Sequence, residues 1–268
     1  MRTEILEKMQ TRQFGRVVHF FENIDSTNVR AKLEANQGAE HGTLIVADMQ
    51  TAGRGRRGRE WSSPSGKNLY FTLILKPDFS PEKASMLTLV MVMAVAEALD
   101  KNIGHLETGE GFGIKWPNDL VINGKKICGI LTEMAVEQGH IDYVIIGVGI
   151  NVQKQEFAPE LVDKATSIEA ECGQEISKSQ LLADIMLAFE KEYEVFLETY
   201  DLSELQVAYN KRLINCEKEV RVLDPQGEFG GIARGINENG ELLVELENGS
   251  ITAVYAGEVS VRGIYGYV

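Results

Sequence analysis

The sequence is poor in cysteine, histidine, basic residues and long apolar runs, and each shortage excludes something. Three cysteines (Cys128, Cys172, Cys216) are odd in number, far apart and never in a CxxC pair. That excludes a disulfide framework and a cysteine zinc site, and points to a reducing compartment. The four histidines (His19, His41, His105, His140) show no metal-ligand spacing. Basic residues number 27 against 40 acidic ones, a net charge of −13. Such a surface repels phosphate backbones, so no nucleic-acid partner is expected. The most apolar run, Met86–Leu99, is too short to span a bilayer and contains Glu97. The first 16 residues lack the apolar core of a signal peptide. A cytoplasmic protein without a membrane partner is expected.

What remains is a chain of 268 residues, 44% apolar, long enough for one or two cored domains. Asp25, Ser26 and Thr27 offer caps for a helix that stops near Gly38. Thr43–Met49 and Leu69–Leu75 read as buried strands, and Met86–Leu99 as a buried helix. A Gly-rich connector, 104–113, follows. Asn123-Gly124 predicts a hairpin turn, and His140–Val152 a further apolar strand. Ser177 to about Ile214 carries helical spacing. From Cys216 onward the texture changes to short strands with Asn239-Gly240 and Asn248-Gly249 turns. This predicts a domain at 1–215 and a small β-barrel at 216–268.

One stretch contradicts the acidic bulk. "QTAGRGRRGREW" places Arg54, Arg56, Arg57 and Arg59 within six positions, interleaved with Gly53, Gly55 and Gly58. Residues 53–58 satisfy G-x-G-x-x-G, but "EWSSPSGKN" follows, where Pro64 and Gly66 oppose the helix a dinucleotide needs. No Walker A pattern exists either. Anion binding needs neither motif. Glycine lets a backbone approach a ligand, and arginine matches phosphate and carboxylate geometry with forked donors. A solvated basic loop without a ligand is the plain alternative.

The neighbouring motifs decide between them. "DSTN" (Asp25–Asn28), the arginine stretch running on to "SSPSGKNLYFTLIL", "IKWPNDLVINGKKICGILTE" and "IIGVGINV" occur in this order. Together they closely resemble biotin protein ligase, and the resemblance resumes in "NGELLVELENGS" and "AGEVSVRG". The resemblance implies an α+β fold related to the catalytic core of class II aminoacyl-tRNA synthetases. That core is a mixed sheet with flanking helices, followed by an SH3-like β-barrel. The implied reaction joins biotin to ATP as biotinyl-5′-AMP, then moves biotin to a lysine of a biotin carboxyl carrier protein. Mg²⁺ accompanies ATP.

Residue by residue, the resemblance assigns Ser26, Thr27, Asn28 and Gln50 to biotin's ureido end. It assigns Gly53, Arg54, Gly55 and Arg56 to the carboxylate and adenylate phosphate. Lys115 becomes the cation bridging carboxylate and phosphoryl oxygens, and with Arg54 is expected to be catalytic. Arg57 and Arg59 meet pyrophosphate or fold the loop, and Trp61 forms an apolar lid. Asn118, Lys126 and Asn151 are candidates for ATP, and Asp119 for Mg²⁺ or a turn cap. Only about 15 residues precede the resemblance, which predicts a ligase without the DNA-binding domain some members carry. A homodimer is compatible with the family. A lipoate-type ligase and a biotin-sensing repressor without turnover are the rival readings.

Overall fold

The computed structural model describes residues 1–103, 111–224, 227–256 and 260–263. Residues 104–110 of the Gly-rich connector therefore lie outside it. In chain order, α1 (Arg2–Lys8) precedes β1 (Val18–Ile24), α2 (Thr27–Asn36), β2 (Leu44–Gln50), β3 (Leu69–Leu75) and α3 (Leu87–Ile103). Then come β4 (Gly113–Lys115), β5 (Asp119–Ile122), β6 (Lys125–Glu137) and β7 (His140–Ile150). Three helices, α4 (Ile168–Cys172), α5 (Lys178–Thr199) and α6 (Gln206–Arg212), lead to β8 (Glu219–Leu223) and β9 (Phe229–Ile236). The last elements are β10 (Leu242–Glu245), β11 (Ile251–Val254) and β12 (Ser260–Gly263).

The large sheet runs β1-β2-β3-β7-β6-β5-β4. Only β1 and β2 pair in parallel; the other neighbours are antiparallel. Asn123 and Gly124 both have positive φ (49° and 75°), the two left-handed positions a tight hairpin turn requires. The side-chain period of two divides the strands between two cores. On β7, Val144, Ile146, Val148 and Ile150 join α3 and α5 in the main core, whereas Tyr143 and Ile145 pack with Ala31 and Ala35 of α2. Because α3 is apolar all round, it is buried along most of its length.

The helical spacing over 177–214 belongs to two helices, α5 and α6. Tyr200 adopts a left-handed conformation (φ 57°) and its N–H caps the Phe196 carbonyl at 2.8 Å. Asp201 then accepts from the Ser203 N–H at 2.9 Å and hydroxyl at 2.6 Å, closing a side-chain turn that competes with the helix.

The C-terminal strands form an antiparallel sheet in the order β11-β10-β9-β8-β12. Among the described residues β11 and β12 stay as separate edges, so the structure gives a five-stranded sheet and no closed barrel. It is docked firmly on the rest of the chain. The Trp116 indole donates to the Gly240 carbonyl at 3.0 Å, and the Leu202 N–H donates to the Glu238 carbonyl at 2.7 Å. No described helix is long and apolar enough to cross a membrane.

Candidate active site

The site begins where the sheet runs out of side chains. On the α2 face of β7, bulky Tyr143 and Ile145 give way to Gly147 and Gly149, and β6 places Gly129 directly beside Gly149. The result is a hollow of about 430 Å³, counting its open mouth. Ser26, Thr27 and Asn28 wall it, Gln50, Arg54, Gly55, Arg56 and Trp61 line it, and Asn118 and Lys126 close a further side. The glycines are a steric requirement. A Cβ on Gly147 would lie 1.9 Å from Asn28 Oδ1, and one on Gly149 2.5 Å from the Trp61 indole. These three floor glycines were not singled out as site residues above. Their signal was present, as two glycines sharing one face of an apolar strand.

The α2 wall is pinned to the loop. Gln50 Oε1 accepts from the Thr27 N–H at 2.9 Å and the Thr27 hydroxyl at 3.1 Å, and its amide donates to Ser63 Oγ at 2.9 Å. Ser26 is the helix N-cap by position, but its side chain makes no capping bond, contrary to the cap expected from sequence. The arginine stretch is a closed hairpin. Gly55 N–H donates to Arg59 O at 2.7 Å and Trp61 N–H to Gly53 O at 2.9 Å, while Arg54 and Glu60 form a bridge. A Cβ on Gly53 would sit 2.4 Å from the Trp61 carbonyl, so that position must be bare.

Within "KWPND" each residue has its own task. Strand alternation buries Ile114 in the core, which turns Lys115 to the opposite face, cross-strand from Asp119. Trp116 anchors on Gly240, as above, and its bond to Pro117 is cis. Asn118 Oδ1 accepts from Arg56 Nη1 at 2.8 Å, and its amide donates to the Ile130 carbonyl at 2.9 Å. Arg56 Nη2 also donates to the Ala256 carbonyl at 2.6 Å, tying the loop to the C-terminal sheet.

Cations converge here in spite of the bulk charge. Lys115 is only 6% exposed. Burial is the main cause that lowers its ammonium to about 8; Asp119 opposes the fall, and Lys126, Arg262 and Arg59 add to it. Arg56 is also pushed below its ordinary value, first by burial, with Asp119 opposing and Arg57 and Arg59 assisting. Lys126 Nζ contacts Asp119 at 2.6 Å and lies 5.2 Å from the Trp61 ring centroid. Arg262, on β12, was missed in the sequence reading because nothing local links it to Lys115. The cluster is a set of like charges gathered around one carboxylate, Asp119.

Six expected residues, Gly53, Arg57, Arg59, Lys115, Asp119 and Asn151, do not line the hollow. Lys115 is electrostatically coupled to Lys126, which does line the hollow. Arg57, exposed and left-handed (φ 58°), faces a neighbouring groove. Asn151 is 5% exposed, and its amide donates to the Thr166 carbonyl at 3.0 Å, which fixes the following segment. Cys128 is fully buried, consistent with packing.

Asp119, the candidate for Mg²⁺, stands beside Lys126 and cross-strand from Lys115. No group of three or more His, Cys, Asp or Glu residues that could hold a metal occurs among the described residues.

A mixed sheet with a glycine floor, lined by exposed Arg54 and half-buried Arg56 and Lys126, defines a cation-lined enzyme core. Known proteins narrow this class. The model of the biotin/lipoate A/B protein ligase family matches residues 20–151, and that of the biotin protein ligase C-terminal domain matches residues 216–262. The bifunctional ligase/repressor BirA of Bacillus spizizenii is 38% identical over 261 residues, covering 97% of this chain and 78% of that protein. The biotin–[acetyl-CoA-carboxylase] ligase of Paracoccus denitrificans is 32% identical over 223 residues, covering 82% and 90%. A biotin protein ligase from Aquifex aeolicus, solved with biotin and ATP, superposes with a TM-score of 0.78 at 30% identity, covering 92% of this chain and 99% of that one. The chain belongs to the biotin/lipoate A/B protein ligase family, among its biotin protein ligases.

Proposed function

We propose that the protein activates biotin with ATP and transfers it to a lysine of a biotin carboxyl carrier protein. The observation that carries this is the cation cluster of Lys115, Arg56, Arg59, Lys126 and Arg262 at the edge of a glycine-floored hollow. In the first step a carboxylate oxygen of biotin attacks the α-phosphorus of ATP. One P–O bond forms, the bond to the β-phosphate bridge breaks, and pyrophosphate leaves. Two like charges about 4 Å apart cost about 4 kcal/mol at an effective dielectric of 20. Fixed cations offset that cost where the charge grows.

Lys115 takes the bridging position between carboxylate and phosphate, and Arg54 and Arg56 cover the acyl phosphate. Ser26 and Thr27 face the ureido end, with Gln50 behind Thr27. Arg59 and Arg57 meet the pyrophosphate side, and Trp61, Asn118 and Lys126 the adenylate. ATP arrives as its magnesium salt, and no step is routed through a protein-bound metal. In the second step the neutral amine of the acceptor lysine attacks the acyl carbon. The C–N bond forms, the acyl–phosphate bond breaks, AMP leaves and the amine's surplus proton passes to solvent. We assign the reaction to 1–215 and read the C-terminal sheet as an SH3-like support that holds Arg56 and presents Arg262. The test is to mix the protein with labelled biotin, Mg-ATP and a carboxylase carrier domain. Label on the carrier lysine is expected, and preference for lipoate over biotin in pyrophosphate release would overturn the reading.

The depressed Lys115 gives a pH signature. Below about pH 8 the free protein holds the ammonium charged; above it the folded site loses that proton well before an ordinary lysine would. Bound anions favour the charged form, so biotin binding above pH 8 must take up a proton. Affinity for biotin is therefore expected to fall about tenfold per pH unit above that point. Titration calorimetry in buffers of different ionisation enthalpy reads the proton directly. The Lys115→Arg variant, whose guanidinium stays charged, is expected to lose this dependence; a pH-flat wild type would refute the assignment.

Arg54 is exposed and lines the hollow from the loop hairpin. Arg54→Gly is expected to release biotinyl-AMP into solution and label proteins indiscriminately, since the loop shields a water-sensitive anhydride. Chromatography of the reaction mixture for free biotinyl-AMP checks this, and retention as tight as in wild type would exclude a sealing role.

A further inference from the structure

Glu133 belongs to none of the roles above, yet it joins the two sides of the hollow. It stands on β6, on the same face as Gly129. Its Oε2 accepts the Asn28 amide N–H at 2.9 Å and its Oε1 the Lys32 ammonium at 2.6 Å. Asn28 and Lys32 are four residues apart on α2, hence on one helix face. One carboxylate therefore grips two successive turns of the helix.

Asn28 is engaged on its remaining sides. Its Oδ1 accepts the hydroxyl proton of fully buried Thr72 at 2.7 Å, and its amide also reaches the Leu131 carbonyl at 3.4 Å. The orientation of this amide is fixed by chemistry, because an ionised carboxylate only accepts. Asn28 is 5% exposed and lies where a Gly147 side chain would otherwise stand. Its hydrogen-bonding groups are thus occupied by protein, although the sequence reading assigned it to ligand.

We infer that Glu133 is a positioning residue. Through Asn28 it fixes the height of the first turn of α2 above the glycine floor, and so sets how Ser26 and Thr27 meet biotin's ureido end. This rests on the biotin reading of the hollow. An Asn28 deprived of its carboxylate partner would have buried N–H groups to satisfy elsewhere, and the turn that carries Ser26 and Thr27 would move with it.

The experiment is steady-state pyrophosphate exchange with biotin and ATP varied separately. Glu133→Ala is expected to raise the KM for biotin about tenfold while the KM for ATP and kcat change less than about twofold. Glu133→Gln keeps a carbonyl for the Asn28 N–H and is expected to restore the biotin KM to within about threefold of wild type. Arg30→Ala serves as the control for helix stability, because it removes an Arg30–Glu34 pair (2.7 Å) on the same helix away from the hollow. It is expected to leave both KM values in place. Equal changes in both KM values for Glu133→Ala, or Glu133→Gln as impaired as Glu133→Ala, would overturn the clamp. Wild-type protein inert with biotin would sink the biotin reading and the clamp together; an active wild type matched by Glu133→Ala would sink the clamp alone.

Discussion

Lys115→Ala is expected to reduce biotin-dependent pyrophosphate exchange by about 10²–10³-fold, with little loss of fold. The size follows from where the charge stands. Lys115 is held at the end of a three-residue strand, buried, with its ammonium depressed to about 8 chiefly by desolvation. Asp119, cross-strand from it, offsets part of that desolvation. The unfolding midpoint is expected to stay near that of wild type while adenylation fails. Transfer from chemically made biotinyl-AMP should suffer less, because the two anions have already been joined. An exchange rate left intact in Lys115→Ala would mean that the cluster serves another purpose.

The second large effect is expected from a single added methyl group. Gly147→Ala would bring a carbon to 1.9 Å from Asn28 Oδ1. Asn28 has no easy retreat, since Thr72 and Glu133 hold it from two sides at 2.7 and 2.9 Å. Either the helix N-terminus lifts or β7 bows. A displacement near 1 Å at the reacting groups costs on the order of 10²-fold in catalytic efficiency. Overpacking of this kind also costs about 1–3 kcal/mol of stability. The measurements are biotin affinity by calorimetry and the unfolding midpoint. Wild-type affinity for biotin in Gly147→Ala would show that the hollow is not the biotin site.

Comparison of these two sites shows what kinds of information a sequence carries. Lys115 was legible only through the family resemblance that "KWPND" helps carry; the structure adds the local reason, since Ile114 faces the core, Lys115 faces away from it and residues 116–118 turn the chain back. The Asn123-Gly124 hairpin was legible because its turn residues are local. The arginine stretch announced itself by contrast with an acidic chain. The helix break at Tyr200 was not legible, because no glycine or proline marks it; the chain turns there to place Leu202 against Glu238.

Asn28 is the sharper case. The family resemblance assigned it to a ligand contact, whereas its partners, Thr72 and Glu133, are 44 and 105 residues away in sequence. Arg262 likewise reaches Lys115 only after a whole second sheet has docked through Trp116 and Gly240.

By itself the sequence determined most of the strands, the buried helix, the tight turns and the arginine–glycine character of the loop. Each depends on neighbours a few residues apart, through side-chain alternation, backbone φ and the chemistry of guanidinium. Only the tertiary structure decided which glycines form the floor, which amide serves as a fastener and which cations repel one another. Those properties depend on distances across the sheet and between domains, and packing alone sets them.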